Sequence, residues 1–169
     1  MFVFSFGDSF ELQRDIERKA LAHTTGKFES AADASALCDR LFSQWSRPEI
    51  FEDTKEFFDR SPLPIYIVSN IDNIDIRSAI EYHGLKPAGV FTSEDARSYK
   101  PRKELFEMAL SKTGLGPDEV IHIGDSVSSD VHGAAKVGIR ALWLNRFGKS
   151  IPEGVESITR LSEAFDRIG

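Results

Sequence analysis

A single cysteine, Cys38, excludes an intramolecular disulfide and a cysteine-built zinc site. Its apolar-periodic surroundings read as core packing. Histidine is scarce too. His23, His83, His122 and His132 have no metal-ligand spacing, and His122, within a short apolar run, reads as a packed core residue. No apolar run approaches the length that crosses a bilayer. Phe2 to Phe6 is too short for a leader and lacks a basic flank. The expectation is a soluble, cytoplasmic protein with no membrane partner. Positive charge is in deficit, with 21 Lys and Arg against 27 Asp and Glu. The net charge of -6 argues against nucleic acid as the main partner. What is present is ordinary: 41% hydrophobic and 28% charged residues, enough for the core of one domain with a small appendage.

The chain changes texture near Pro48. Before it the periodicity is helical. Residues 10 to 23 suit a helix opened by an Asp8–Glu11 capping box and stopped by Gly26, and residues 31 to 46 suit a second, capped by Ser30. A third covers about 51 to 60, ended by SPLP. After it, short apolar strands alternate with helices. The strands are 65–68, 90–92, 120–123 and 141–144; the helices are 73–83, 101–112, 128–137 and 159–167. That alternation implies a doubly wound parallel sheet with right-handed crossovers. The expected division is a helical portion over 1–47, with residues 2–6 a possible core strand, and an α/β core over 48–169.

Three polar features stand at strand ends, where open α/β sheets bind ligands. Ser69-Asn70 closes the first strand with a hydroxyl and an amide that can hydrogen-bond a phosphoryl oxygen. Lys100, before Pro101, can set a compact positive charge over the site. Val120 to Asp130, VIHIGDSVSSD, ends a strand at Gly124-Asp125 and brings a second acid, Asp130, on the next turn. Carboxylates at that place are candidate ligands of a hard cation such as Mg²⁺. Gly124 reads as a residue that lets the backbone turn sharply.

Ser-Asn, then Lys-Pro, then GDxxxxD, each after a strand and in that order, resembles the haloacid dehalogenase-like (HAD) hydrolase superfamily, with HIGDSVSSDVHGAAKVGI and ALWLNR as further matching stretches. The resemblance covers residues 50 to 150 most strongly. It implies a Rossmann-like parallel sheet with an α-helical cap portion. It also implies an aspartate nucleophile that forms a phosphoaspartyl intermediate, and Mg²⁺. Ser69 would hold the transferred phosphoryl group, with Asn70 beside it. Lys100 would offset its negative charge. Asp125 would bind Mg²⁺, and Asp130 would bind the metal or orient its shell or Lys100. GD with a distant second Asp looks like the phosphatase branch, so the implied substrate is a small-molecule phosphate ester, and the protein a monomer or homodimer. A receiver domain of a signalling relay shares an Asp and a Lys but not this late GDxxxxD.

The family's first motif, DxDxT, is absent before Ser69. In one reading MFVFSFGDSF takes its place, with Ser5, Gly7 and Ser9 replacing nucleophile, general acid and threonine. A serine without a base cannot easily do an aspartate's work. In the other, favoured reading the chain starts within the cap, because the helices ending in LFSQW and then PEIFED are similar to that segment of the family. The missing strand would then leave unpaired edges inside the sheet, to be filled by residues 2–6 or by a partner chain. Both readings imply weak or no phosphatase activity and weak Mg²⁺ binding. A non-catalytic binding or dimerisation protein on the same scaffold is the alternative.

Overall fold

The structure, a computed structural model, describes residues 9–168. Among the described residues three helices precede the first strand: α1 (Gln13–Lys27), α2 (Ala34–Ser46) and α3 (Asp53–Arg60). Then follow β1 (Tyr66–Ser69), α4 (Asn73–His83), β2 (Gly89–Thr92), the single turn α5 (Ser93–Ala96) and α6 (Glu104–Thr113). The chain continues through β3 (Ile121–Gly124), a π-helical turn Val127–Val131, α7 (His132–Ala135), β4 (Arg140–Leu144), β5 (Ser157–Ile158) and 3₁₀ turns over Leu161–Arg167.

All three ladders are parallel. β1 pairs β2 with Ser69 opposite Thr92, β3 pairs β4 with Gly124 opposite Trp143, and β4 pairs β5 with Leu144 opposite Ile158. Among the described residues these form two separate sheets, β1-β2 and β3-β4-β5. The candidate strand at residues 2–6 lies outside the described residues. Strand alternation divides the core into two layers. Phe57, Leu142, Ile158 and Ala164 pack with Ile121, Ile123 and Leu144 on one face, while Phe106, Ala134 and Ile139 pack with Val68 and Ala141 on the other. Apolar cover on both faces is the mark of a parallel, doubly wound architecture.

Several boundaries differ from the sequence reading. α1 starts at Gln13, because Asp72 from the β1–α4 loop caps it, accepting from the backbone N–H groups of Gln13 (2.8 Å) and Arg14 (2.9 Å); Asp8 is outside the described residues. Gly26 does not stop this helix, which continues to Lys27. α2 is capped by Asp33, which accepts from Ser35 N at 2.8 Å, whereas Ser30 bonds Ala32 N in the turn before it. α6 begins three residues after Pro101, with Lys103 at its N-cap. The expected helix 128–137 is a π turn followed by one α turn, with Val131 N bonding back to Ser126 O at 3.3 Å. The expected last helix is 3₁₀. β5, two residues long, carries no periodic signal and is a strand only because β4 offers it an edge.

Candidate active site at the strand ends

Lys100 lies at the centre. Its ammonium donates to Val68 O of β1 at 2.8 Å and to Asp130 Oδ1 at 2.6 Å, and the residue is 8% exposed. One side chain therefore ties the end of β1 to the turn after β3. Its backbone is clamped separately. Asn70 Oδ1 accepts from Lys100 N at 2.7 Å, and Asn70 Nδ2 donates to Lys100 O at 3.0 Å. Asn70 thus spends its amide on holding Lys100, while Ser69, the last residue of β1, is half-buried beside the Val68 carbonyl that Lys100 uses.

Asp130 accepts three hydrogen bonds. His122 Nε2 donates to Oδ1 at 3.0 Å alongside Lys100, and Ser126 N donates to Oδ2 at 3.0 Å. Burial by itself would raise the carboxyl pKa, but the His122 hydrogen bond and the Lys100 charge outweigh it and hold Asp130 well below the usual carboxylate range. His122 is fixed in turn by the edge of the Phe106 ring, 5.1 Å between centroids.

Gly124 owes its place to space. A Cβ there would sit 2.2 Å from Asp130 Cγ, so only glycine lets Asp130 lie across the strand end. Its backbone is not in the left-handed region, and the reading of Gly124 as a sharp-turn residue gives way to this one. His122 and Gly124 are two apart in a strand and share a face, which is why a carboxylate seated on Gly124 meets the imidazole. That spacing was available in the sequence, where His122 read as a packed core residue.

Asp125 is placed differently. It is exposed, and its carbonyl accepts the Trp143 indole N–H at 3.0 Å. It borders a cavity of about 350 Å³ lined also by Phe51, Thr54, Phe147 and Lys149. Arg146 forks onto Asp53 with distances of 2.9 and 3.1 Å and lies over the Phe51 ring at 4.1 Å. Two larger openings, about 500 and 570 Å³, follow α1, and neither is lined by Lys100, Asp125 or Asp130.

Mg²⁺ takes hard oxygen ligands in near-octahedral array. Among the described residues no three His, Cys, Asp or Glu side chains lie together to hold a metal. Asp125 offers one exposed carboxylate, and Asp130 is engaged by Lys100, His122 and Ser126. The described residues therefore do not complete a Mg²⁺ site. Of the roles considered for Asp130, this geometry accords with orienting Lys100.

The model of the haloacid dehalogenase-like hydrolases matches residues 8–138. The chain belongs to this family. Its relatives are similar to it over limited stretches. Phosphoserine phosphatase of Thermus thermophilus is 45% identical over 47 residues, which are 28% of this chain and 19% of that protein. (S)-2-haloacid dehalogenase 4A of Burkholderia cepacia is 26% identical over 121 residues, 69% of this chain and 52% of that one. The chain thus spans between about a fifth and about half of these relatives. Two solved structures share the fold. A dehalogenase with an intermediate complex superposes with a TM-score of 0.82 at 21% identity, over 94% of this chain and 74% of that chain. A HAD phosphatase from Thermococcus onnurineus gives 0.67 at 26% identity, over 86% and 68%. HAD relatives therefore include both phosphatases and dehalogenases. Among the described residues no helix is long and apolar enough to cross a membrane.

Proposed function

We propose that this HAD-family chain binds the phosphoryl group of a small phosphate monoester at the ends of β1 and β3, as a protein of the phosphatase type. The observation that carries the reading is the placement of Lys100: two of the three donors of its ammonium are fixed on Val68 O and Asp130 Oδ1, which leaves one N–H for an anion. Ser69 supplies a hydroxyl at the same strand end, Asn70 clamps Lys100, Asp130 keeps the ammonium in place, and Asp125 stands at the exposed rim. Phosphoryl binding depends mainly on positioning and charge neutralisation, which this arrangement can supply. The GDxxxxD spacing and the phosphatases among the relatives favour phosphate over halide chemistry. On this reading residues 1–47 are the helical cap portion and 48–169 the core. The two are joined where Arg14 of α1 and Ser46 of α2 bond Asp75 of α4.

Turnover is a separate matter. No DxD precedes Ser69, and the described residues do not complete a metal site. Loss of a nucleophile removes most of an enzyme's rate. The chain alone is expected to bind phosphate, to hydrolyse 4-nitrophenyl phosphate weakly or not at all, and to respond little to Mg²⁺. Calorimetric titration with inorganic phosphate tests the binding. Ser69→Ala should weaken it on the order of 10-fold, as for a lost hydrogen bond to a charged group. Equal binding by both forms, or none by either, overturns the reading. Robust Mg²⁺-dependent turnover overturns the expectation of inactivity.

A further inference from the structure

The cavity beside Asp125 has walls that phosphate alone does not require. Phe147 is 79% exposed and Phe51 53% exposed, yet both line it. What sets these two apart from other exposed apolar side chains is that they border one cavity. The Phe51 ring lies under the Arg146 guanidinium, 4.1 Å from its centroid, and that guanidinium is forked onto the buried Asp53. Asp53 is fixed further by Leu161 N at 2.8 Å. Burial would raise its pKa, but the Arg146 hydrogen bonds and the Leu161 N–H lower it, so it stays a carboxylate.

Phe147 sits on a closed loop. Asn145, 5% exposed, donates its amide to Lys149 O at 2.7 Å and accepts from Lys149 N at 2.9 Å. Gly148 turns the chain at φ 61, a left-handed conformation. The two hydrogen bonds close the loop that places Phe147 and Lys149 at the cavity, and a wall held in place before a ligand docks loses little entropy on binding. The same cavity is lined by Gly124 and Asp125, and Gly124 carries Asp130 and, through it, Lys100. The cavity and the proposed phosphoryl position thus share one strand end, at Gly124.

We propose that this cavity is the subsite for the organic part of the ester, and that it selects a planar aromatic or heteroaromatic group over an aliphatic one. The inference rests on the phosphate-binding reading above and adds the substrate class. Its volume of about 350 Å³ falls within the range of small-molecule pockets, roughly 300–1,000 Å³.

The test is calorimetric titration of the whole chain with phenyl phosphate, with glycerol 1-phosphate and with inorganic phosphate. Phenyl phosphate should bind about 3- to 10-fold more tightly than glycerol 1-phosphate, the range expected of aromatic contacts. Phe147→Leu, which keeps bulk without a π face, should reduce that ratio toward one, and Phe147→Tyr should keep it. Equal affinity for the two esters in the wild type, or an unchanged ratio in Phe147→Leu, overturns the inference while binding of inorganic phosphate leaves the phosphate reading standing. Failure of all three ligands to bind overturns both.

Discussion

Two of the buried ionic groups among the described residues differ in what surrounds them. At the strand ends Lys100 and Asp130 are both enclosed, with side chains 10% and 6% exposed, and His122 shares the same carboxylate oxygen. At the junction of α1, α2 and α4, Asp75 is fully buried, but its partner Arg14 is 23% exposed and lies over the Phe42 ring. Next to it Asp72 caps α1, and among the described residues no cationic side chain is bonded to it. The first group has a positive charge that cannot retreat to water. The second has one that can. A trapped ammonium with an open donor suits an anion site; a half-solvated guanidinium suits a clasp between helices.

The sharpest way to break the comparison is to remove each cation. Lys100→Met deletes the charge while keeping the stem and strands Asp130. Unfolding in urea should register a loss on the order of 3–5 kcal/mol, the cost of orphaning one member of a buried pair. Arg14→Ala should cost about 3 kcal/mol, because Asp75 is left buried with Ser46. Asp75→Ala should cost less, on the order of 1–2 kcal/mol, since Arg14 then turns to solvent. Equal losses from Arg14→Ala and Asp75→Ala would remove the asymmetry on which the comparison stands.

How legible these regions were from sequence follows the same division. Lys100 and Asp130, which the structure joins at 2.6 Å, could be singled out in sequence because each comes after a short apolar strand, and the fold class was readable from the same alternation of strands and helices. The clasp was not. Asp72 and Asp75 belong to a helix start whose partners, Gln13 and Arg14, lie about sixty residues away, and no local pattern connects them. The Arg146–Asp53 fork, 93 residues apart, was hidden for the same reason. The start of α1 was misplaced because a distant side chain, Asp72, supplies its cap.

Gly124→Ala sharpens the comparison within the first region. The added methyl would meet Asp130 and push it off Lys100, so a destabilisation of about 1–3 kcal/mol is expected. Hydrogen exchange at the Ser126 amide, which donates to Asp130, should speed up with it. An unperturbed Ser126 amide would mean that Asp130 does not need that seat.

The smallest expected effect is one of sign. Asp130 has a folded-state pKa held below the ordinary range, so its contribution to stability is complete above about pH 4 and is lost as pH falls through the folded value. Burial raises the Asp72 pKa, against the opposing N–H groups of Arg14 and Gln13. Its contribution is therefore complete below the ordinary range and is lost as pH rises through its folded value. On acidification from about pH 6 to 3, Asp72→Asn should lose more stability than the wild type, and Asp130→Asn less. Parallel curves for wild type and both variants would show that the two acids do not differ in this way.

The most direct test of the strand-end site is a crystal structure of the whole chain grown with inorganic phosphate. The anion should lie within hydrogen-bond distance of both Lys100 Nζ and Ser69 Oγ, with Asp130 still on Lys100. An anion bound elsewhere, or Ser69, Lys100 and Asp125 facing different sides of the molecule, would contradict it.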